Sequence, residues 1–259
     1  LITGYAQQGQ CFEALNCFQR MQDEGIAPDA VTFISILKAC GSTGDIDKGG
    51  QIHDKIVSRG LLEKNIVMGN ALVDMYAKCG ELARAQEVLD VLPFRDVVSW
   101  SAMIAGHAQY GCGEEAISLF RCMQIKDELP NEVTLVNVLC ACSHAGLVYE
   151  STSIFLSMSQ RYSNTDIVLA LDHYNCIIDL FCRAGLLAKA AIVMERMPFQ
   201  PNSVTWCTIL GACRKTGDIT LARHAFECAT VLNDREGASF ILMASIYSEQ
   251  CDIDIRAKQ

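Results

Sequence analysis

Five histidines, fourteen cysteines and thirty carboxylates are the residues of this 259-residue chain that could hold a metal or move a proton. Their spacing argues against both. A zinc-activated water that attacks a nucleobase needs H-x-E together with C-x-x-C. None of His53, His107, His144, His173 or His224 has a glutamate two residues on, and no two cysteines stand three apart. Cys140 and Cys142 would point to different faces of one helix, and Cys207 and Cys213 are six apart. No phosphate-cradling glycine loop, G-x-S-x-G elbow or dinucleotide fingerprint occurs. Asp45 with Asp47, and Glu114 with Glu115, read as charges at helix starts. The expectation is a chain with no catalysis of its own, no cofactor and no metal.

The elements around these residues must therefore do something other than chemistry. About half of the residues are apolar, enough for a large core, and the net charge is −9. Lys+Arg number 11 against 17 Asp+Glu in residues 1–131, and 10 against 13 in 132–259, so the acidity is spread along the chain. That excludes a polybasic binder of nucleic acid, whose affinity comes from phosphate neutralisation. The many cysteines lie inside helical patterns of a long chain, which reads as free thiols in a reducing compartment. No 18-residue apolar run is present, so no membrane partner is expected. The chain opens at Leu1 in mid-pattern and is expected to be a fragment, so it carries no information about a targeting peptide.

One outline recurs along the chain. Glycines at 9, 44, 80, 111, 146, 185 and 217 follow apolar helical stretches at spacings of 35, 36, 31, 35, 39 and 32. Eight and four residues before each stand apolar or aromatic side chains, such as Leu72 with Tyr76 and Ile177 with Phe181. Five residues after it there is always a small one: Ala14, Gly49, Ala85, Ala116, Ser151, Ala190 and Ala222. Nine and twelve after it, large side chains return, such as Phe18 with Met21 and Phe120 with Met123. These registers place one apolar face on each of two helices, with the glycine ending the first in a left-handed turn. A hairpin of this size cannot bury its own apolar face, so repeats must stack. The predicted fold is all-α: a right-handed α-solenoid of stacked helix–turn–helix hairpins with repeats of 31–39 residues. Turn sequences such as GIAPD at 25–29 and MPFQPN at 197–202 separate the repeats. The boundaries read as 1–29, 30–65, 66–96, 97–131, 132–170 and 171–202, followed by 203–236 and 237–259. In the last, Cys251 replaces the glycine and Arg256 the small residue.

The segments AVTFISILKACGSTGDIDKGGQIHDKIVSRG at 30–60, NIVMGNALVDMYAKCGELARAQEVLDVLPFRDVVSWSAMIAGHAQYG at 65–111 and MPFQPNSVTWCTILGACRKTG at 197–217 resemble pentatricopeptide repeats. Tetratricopeptide repeats fit less well, because their Leu-Gly pair is missing and the period varies. The order standard, long, short, standard, long, short resembles the plant subclass that mixes three repeat lengths. Residues 1–202 would be its array, and 203–259 resemble degenerate extension motifs. The resemblance implies single-stranded RNA binding in a mitochondrion or chloroplast, and a role as site-specificity factor for cytidine-to-uridine editing, with no role for DNA. A deaminase or another editing-complex protein would be recruited through residues 203–259, or a deaminase domain would follow them. A protein-binding helical scaffold and an RNA stability or processing factor are the competing readings.

By the same resemblance, two side chains per repeat would face a base: the residue ten before the glycine and the last residue of the repeat. Those are Asn70 with Asp96, Ser101 with Asn131, Asn175 with Asn202, and Asp29 alone for the first repeat. The implied code is U, A and a pyrimidine, giving 5′-U-A-N-Y-3′. An apolar residue would pack just before the first reader, here Phe33, Gly69, Trp100 and Tyr174. The long repeats carry Ile34 and Val136 at the reading position, and the extensions Cys207 and Ile241, so these are expected to space the array or contact protein. Taken singly, Asn, Ser and Asp at helix starts also read as caps.

Overall fold

A computed structural model describes residues 1–62, 65–161, 169–232 and 237–256, with side chains for all of these except 159–161 and 249–256. Helices alternate with short turns, and no strand occurs among the described residues. The hairpins are α1 (Ile2–Gln7) with α2 (Cys11–Asp23), α3 (Ala30–Thr43) with α4 (Ile46–Ser58), α5 (Ile66–Lys78) with α6 (Leu82–Val91), and α7 (Val97–Gln109) with α8 (Gly113–Ile125). They continue with α9 (Glu132–Ala145) and α10 (Val148–Arg161), α11 (Leu171–Arg183) and α12 (Leu187–Arg196), and α13 (Ser203–Thr216) and α14 (Ile219–Leu232). A longer helix, α15 (Gly237–Arg256), ends the chain. The all-α architecture is as the periodicity predicts.

The chain divides into two compact parts, Leu1–Ala141 and Cys142–Gln259. In the first, each hairpin's leading helix stacks on the next: α1 on α3, α3 on α5, α5 on α7. In the second, α11 stacks on α13 and α13 on α15. The predicted registers are the ones that bury. Ile36, Leu72 and Met103, and likewise Val138, Ile177 and Ile209, are almost wholly buried. So are the small residues Ala14, Ala85, Ala116, Ser151, Ala190 and Ala222. A Cβ on Gly49, at the same register, would come within 2.5 Å of Met75 Sδ, so the lack of a side chain there makes room for the neighbouring helix.

All seven repeat glycines have φ between 70° and 84°. Their conformation lets the chain fold back between helices, and the following amides close onto the helix end, as in Cys112 N to His107 O at 2.9 Å. Sixteen residues later, Gly25 and Gly60 end the second helix of their repeats in the same conformation, and Asp127 takes that place after α8 with φ 58°. The final helix shows what the glycine does by lacking it. Where the pattern would turn, α15 continues unbroken to Arg256. The side chains of Cys251 and Arg256 lie outside the described residues.

Candidate functional site

The expected pairs come together in space, Asn70 and Asp96 in direct contact and all three through a bridging hydroxyl. Asp96 caps α7 with an extended backbone, and its Oδ1 accepts from Ser99 N at 2.9 Å. Asn70, inside α5 of the preceding hairpin, donates Nδ2 to Asp96 Oδ1 at 3.1 Å and Oδ2 at 3.3 Å. Ser99 Oγ completes the group, 2.6 Å from Asn70 Oδ1 and 2.9 Å from Asp96 Oδ1, and accepts from Asp96 N at 3.2 Å. Asn70 is 7% exposed and Ser99 fully buried, so the amide plane is fixed and only the carboxylate edge is open.

The same construction recurs at Asn131. Its Oδ1 accepts from Thr134 N at 2.8 Å and from Thr134 Oγ1 at 2.9 Å. Thr134 Oγ1 lies 2.6 Å from Ser101 Oγ, joining the two expected residues. In the second part of the chain, Thr205 Oγ1 stands 2.7 Å from Asn175 Oδ1 and 2.8 Å from Asn202 Oδ1. Thr205 N donates to Asn202 Oδ1 at 2.9 Å, so Asn202 caps α13. Asp29 caps α3 by accepting from Thr32 N at 2.8 Å and Thr32 Oγ1 at 2.6 Å. Capping and site-forming are therefore the same contact: the cap consumes one oxygen and leaves the rest of the group to face outward. Among the described residues, Nδ2 of Asn131, Asn175 and Asn202 has no hydrogen-bond partner and remains available as a donor.

The bridging hydroxyls Ser99, Thr134 and Thr205 are absent from the sequence-based site. Their signal is legible once sought: Asp or Asn followed three residues later by Ser or Thr, at 29–32, 96–99, 131–134 and 202–205. Asn65 and Ala170, which end the long repeats, have Met68 and His173 at that place. Ala170 N donates to His173 Nδ1 at 3.0 Å instead.

A second register was also missed. Val31, Val67, Val98, Val133 and Val204 stand thirteen residues before a repeat glycine, and each is more than half exposed. In the first part of the chain Val67, Val98 and Val133 line one groove of about 390 Å³ with Asn70, Ser101 and Lys38. The residues expected to pack just before the readers are core anchors. Phe33 and Trp100 are buried, Leu92 fills the space beside Gly69, and Tyr174 meets Phe155 and Phe199 edge-on at 5.2 and 5.9 Å.

Electrostatics distinguish the first pair. Burial raises the Asp96 carboxyl's pKa, but bonds from Ser99 and Asn70 outweigh it and hold the group below its usual range. Asp29 is likewise lowered, first by the Thr32 hydroxyl. One site thus presents an anion and the other two present neutral amides. The buried thiols are inert: desolvation pushes Cys40, Cys142 and Cys182 to about 12 and Cys213 to about 11. No described helix is long and apolar enough to cross a membrane.

Comparison with known proteins gives a consistent picture. The profile described as PPR repeat family matches residues 1–42, and that described as PPR repeat matches 31–61, 70–95, 98–127 and 172–199, together more than half the chain. A pentatricopeptide repeat-containing protein of Arabidopsis thaliana is 41% identical over 92% of this chain and 32% of its own length. A mitochondrial and a chloroplastic member from the same plant, the latter named CRR2, are each 38% identical over 96% of this chain and 38% of their own. The chain thus spans about a third of the length of such relatives. The pentatricopeptide repeat protein PPR10, solved in complex with an 18-nt psaJ RNA element, superposes with a TM-score of 0.76 over 95% of this chain and 37% of its own, at 17% identity. At that identity the likeness concerns the fold.

Proposed function

The chain belongs to the pentatricopeptide repeat family, and we propose that it binds single-stranded RNA base by base and directs cytidine-to-uridine editing of an organellar transcript. The observation that carries this reading is the hydroxyl-bridged pair, built three times from different residues and each time leaving a fixed donor or acceptor outward. An ionised Asp96 accepts a hydrogen bond from the ring N–H that uracil has and that adenine and cytosine lack. Asn131 and Asn202 instead offer an amide N–H to a ring nitrogen or carbonyl. The code that the family resemblance implies assigns U to Asn70/Asp96, A to Ser101/Asn131 and a pyrimidine to Asn175/Asn202, hence 5′-U-A-N-Y-3′, and an acceptor at the first site with donors at the other two is compatible with it. The exposed valines offer apolar ledges against the faces of neighbouring bases. PPR10 was solved with a bound RNA element, which supports the same use of this fold.

The acidic charge fits this mode. A chain of net charge −9 gains little from phosphate neutralisation, so affinity comes from base edges and depends only shallowly on salt. The repeat lengths and the aliphatic Ile34 and Val136 support membership of the plant subclass with long and short repeats, whose long members act as spacers. Relatives bear mitochondrial and chloroplastic names, which supports action in one of those organelles. Residues 203–259 serve as the extension that engages a deaminase or another editing protein. Val231, Leu232, Phe240 and Ile241 are exposed there, an apolar surface suited to a protein partner. The chain supplies no catalytic residue in this scheme.

Selection of bound sequences from a random RNA pool by the intact protein tests the reading. Enrichment of U-A-N-Y is expected, with U replaced by A when Asn70→Ser and Asp96→Asn are combined. An unenriched pool, or an enriched sequence indifferent to the exchange, overturns it and leaves a scaffold for protein.

A further inference from the structure

We propose that His107, Cys112 and Glu115 form a site for one divalent metal ion of the zinc class at the turn of the α7–α8 hairpin. A ring nitrogen of His107, Sγ of Cys112 and a carboxylate oxygen of Glu115 all lie within 4.8 Å of one another. Zinc holds nitrogen and oxygen at about 2.0–2.2 Å and sulfur at about 2.3 Å in a tetrahedron. Donors around one ion then stand roughly 3.3–3.8 Å apart. Side-chain rotation alone can close the remaining distance, because the backbone is already set.

Three elements set it. His107 lies in the last turn of α7, Cys112 is the N-cap of α8, and Glu115 is in the first turn of α8. Gly111, with φ 72°, turns the chain between them, and Cys112 N bonds His107 O at 2.9 Å. The sequence spacing H-x4-C-x2-E escapes a search for paired cysteines, since the fold rather than the spacing brings the donors together.

The state of the donors supports the assignment. His107 Nδ1 is buried and lacks a hydrogen-bond partner among the described residues. Such an atom is costly unless something satisfies it. Cys112 makes no side-chain cap bond, and among the described residues its thiol hydrogen-bonds Tyr110 O, at 3.7 Å. A groove of about 520 Å³ reaches two of the three donors, His107 and Glu115, and water would take the fourth position. One nitrogen, one sulfur and one oxygen suit zinc; magnesium and calcium call for oxygens alone. Binding exchanges the Cys112 thiol proton for the ion, and that proton passes to the buffer. The bound ion would staple the two helices of the hairpin that carries Ser101.

Cobalt(II) titration of the whole chain, kept reduced, tests the proposal, with zinc added afterwards as competitor. The expected result is one tetrahedral site per chain with a thiolate charge-transfer band, reversed by zinc. Cys112→Ser should abolish the band and weaken zinc binding at least about 100-fold, and Glu115→Gln should weaken it about 10-fold or more. Serine is a better N-cap than cysteine, so the first variant keeps the fold, and circular dichroism verifies this. Cys122→Ser should change nothing. Absence of a tetrahedral cobalt spectrum overturns the proposal, as does one that survives Cys112→Ser or disappears with Cys122→Ser.

Discussion

Replacing Thr205 by valine separates the two things its hydroxyl does. Valine keeps the shape of this buried side chain and removes only the oxygen. That oxygen accepts from Asn202 N at 3.2 Å, and its single proton serves Asn175 Oδ1 at 2.7 Å or Asn202 Oδ1 at 2.8 Å. Two hydrogen bonds are thus lost at any moment, about 1 kcal/mol each. Asn175 and Asn202 are only half-buried and can turn to water, and the Thr205 N cap bond persists. The expected loss of local stability is therefore about 1–2 kcal/mol, read as faster amide exchange in the first turn of α13. Binding is weakened too. The Asn175 amide, no longer held, must now be ordered by the RNA at about 0.5–1.5 kcal/mol, so affinity for U-A-N-Y falls about two- to ten-fold. The fall should be accompanied by lost discrimination at the fourth nucleotide alone, measured by fluorescence anisotropy on RNAs that vary there. Thr205→Ser should restore both. If exchange in α13 and the preference at the fourth nucleotide both stay as in the parent chain, the bridge does not organise a reader and the reasoning fails.

Three other perturbations have defined outcomes. Asp96→Asn should cost stability above the carboxyl's unfolded value near 3.8; the difference from the parent should narrow as pH falls through the lowered folded value, in pH-dependent denaturation. Iodoacetamide at mildly alkaline pH should label exposed Cys122 well before Cys40, Cys142, Cys182 or Cys213, as peptide mapping can show; equal rates would contradict their burial. Asp127→Gly should stabilise the end of α8 by roughly 1 kcal/mol, because it removes a side chain from the left-handed region, and a lowered melting temperature would refute this.

The fold was legible because stacking imposes a period on the sequence that is hard to disguise. Seven glycines, each followed five residues later by a small side chain, describe a hairpin before any coordinate is known. The candidate site was legible by half. Asn70, Ser101 and Asn175, with Asp96, Asn131 and Asn202, were picked out by the family resemblance, and a bridging hydroxyl joins the members of each pair. Ser99, Thr134 and Thr205 were overlooked because a hydroxyl in the first turn of a helix reads as an ordinary cap. Its second bond crosses to the preceding hairpin, 29 to 33 residues away, and no local pattern announces that. The exposed valines escaped for the opposite reason. A lone apolar residue near a helix start is common, and only its exposure on a shared face makes it notable. His107, Cys112 and Glu115 lay in view but at spacings that match no familiar ligand pattern.

The bridging position also distinguishes the long repeats, which carry an aliphatic residue ten before the glycine, from the others. An amide or hydroxyl set into the leading helix of a hairpin, half-buried by the next, needs a partner from that next hairpin or it costs stability. Ser99, Thr134 and Thr205 supply it for Asn70, Ser101 and Asn175. Where the long repeats place Ile34 and Val136, no such demand exists, and the bridging place passes to Met68 and His173, both buried. The residue ten before the glycine and the bridge thus change together through residue 202. A single substitution at either place, Asn70→Ile or Ser99→Met, creates a mismatch that the paired exchange avoids. Converting a long repeat into a reader should accordingly need both changes, Ile34→Asn with Met68→Ser, and Asn65 already stands at the capping place to complete the group. The U-A-N-Y preference would then gain a nucleotide at its 5′ end. The single change Ile34→Asn should destabilise the chain without adding a preference, because a helix face gains an amide that nothing holds.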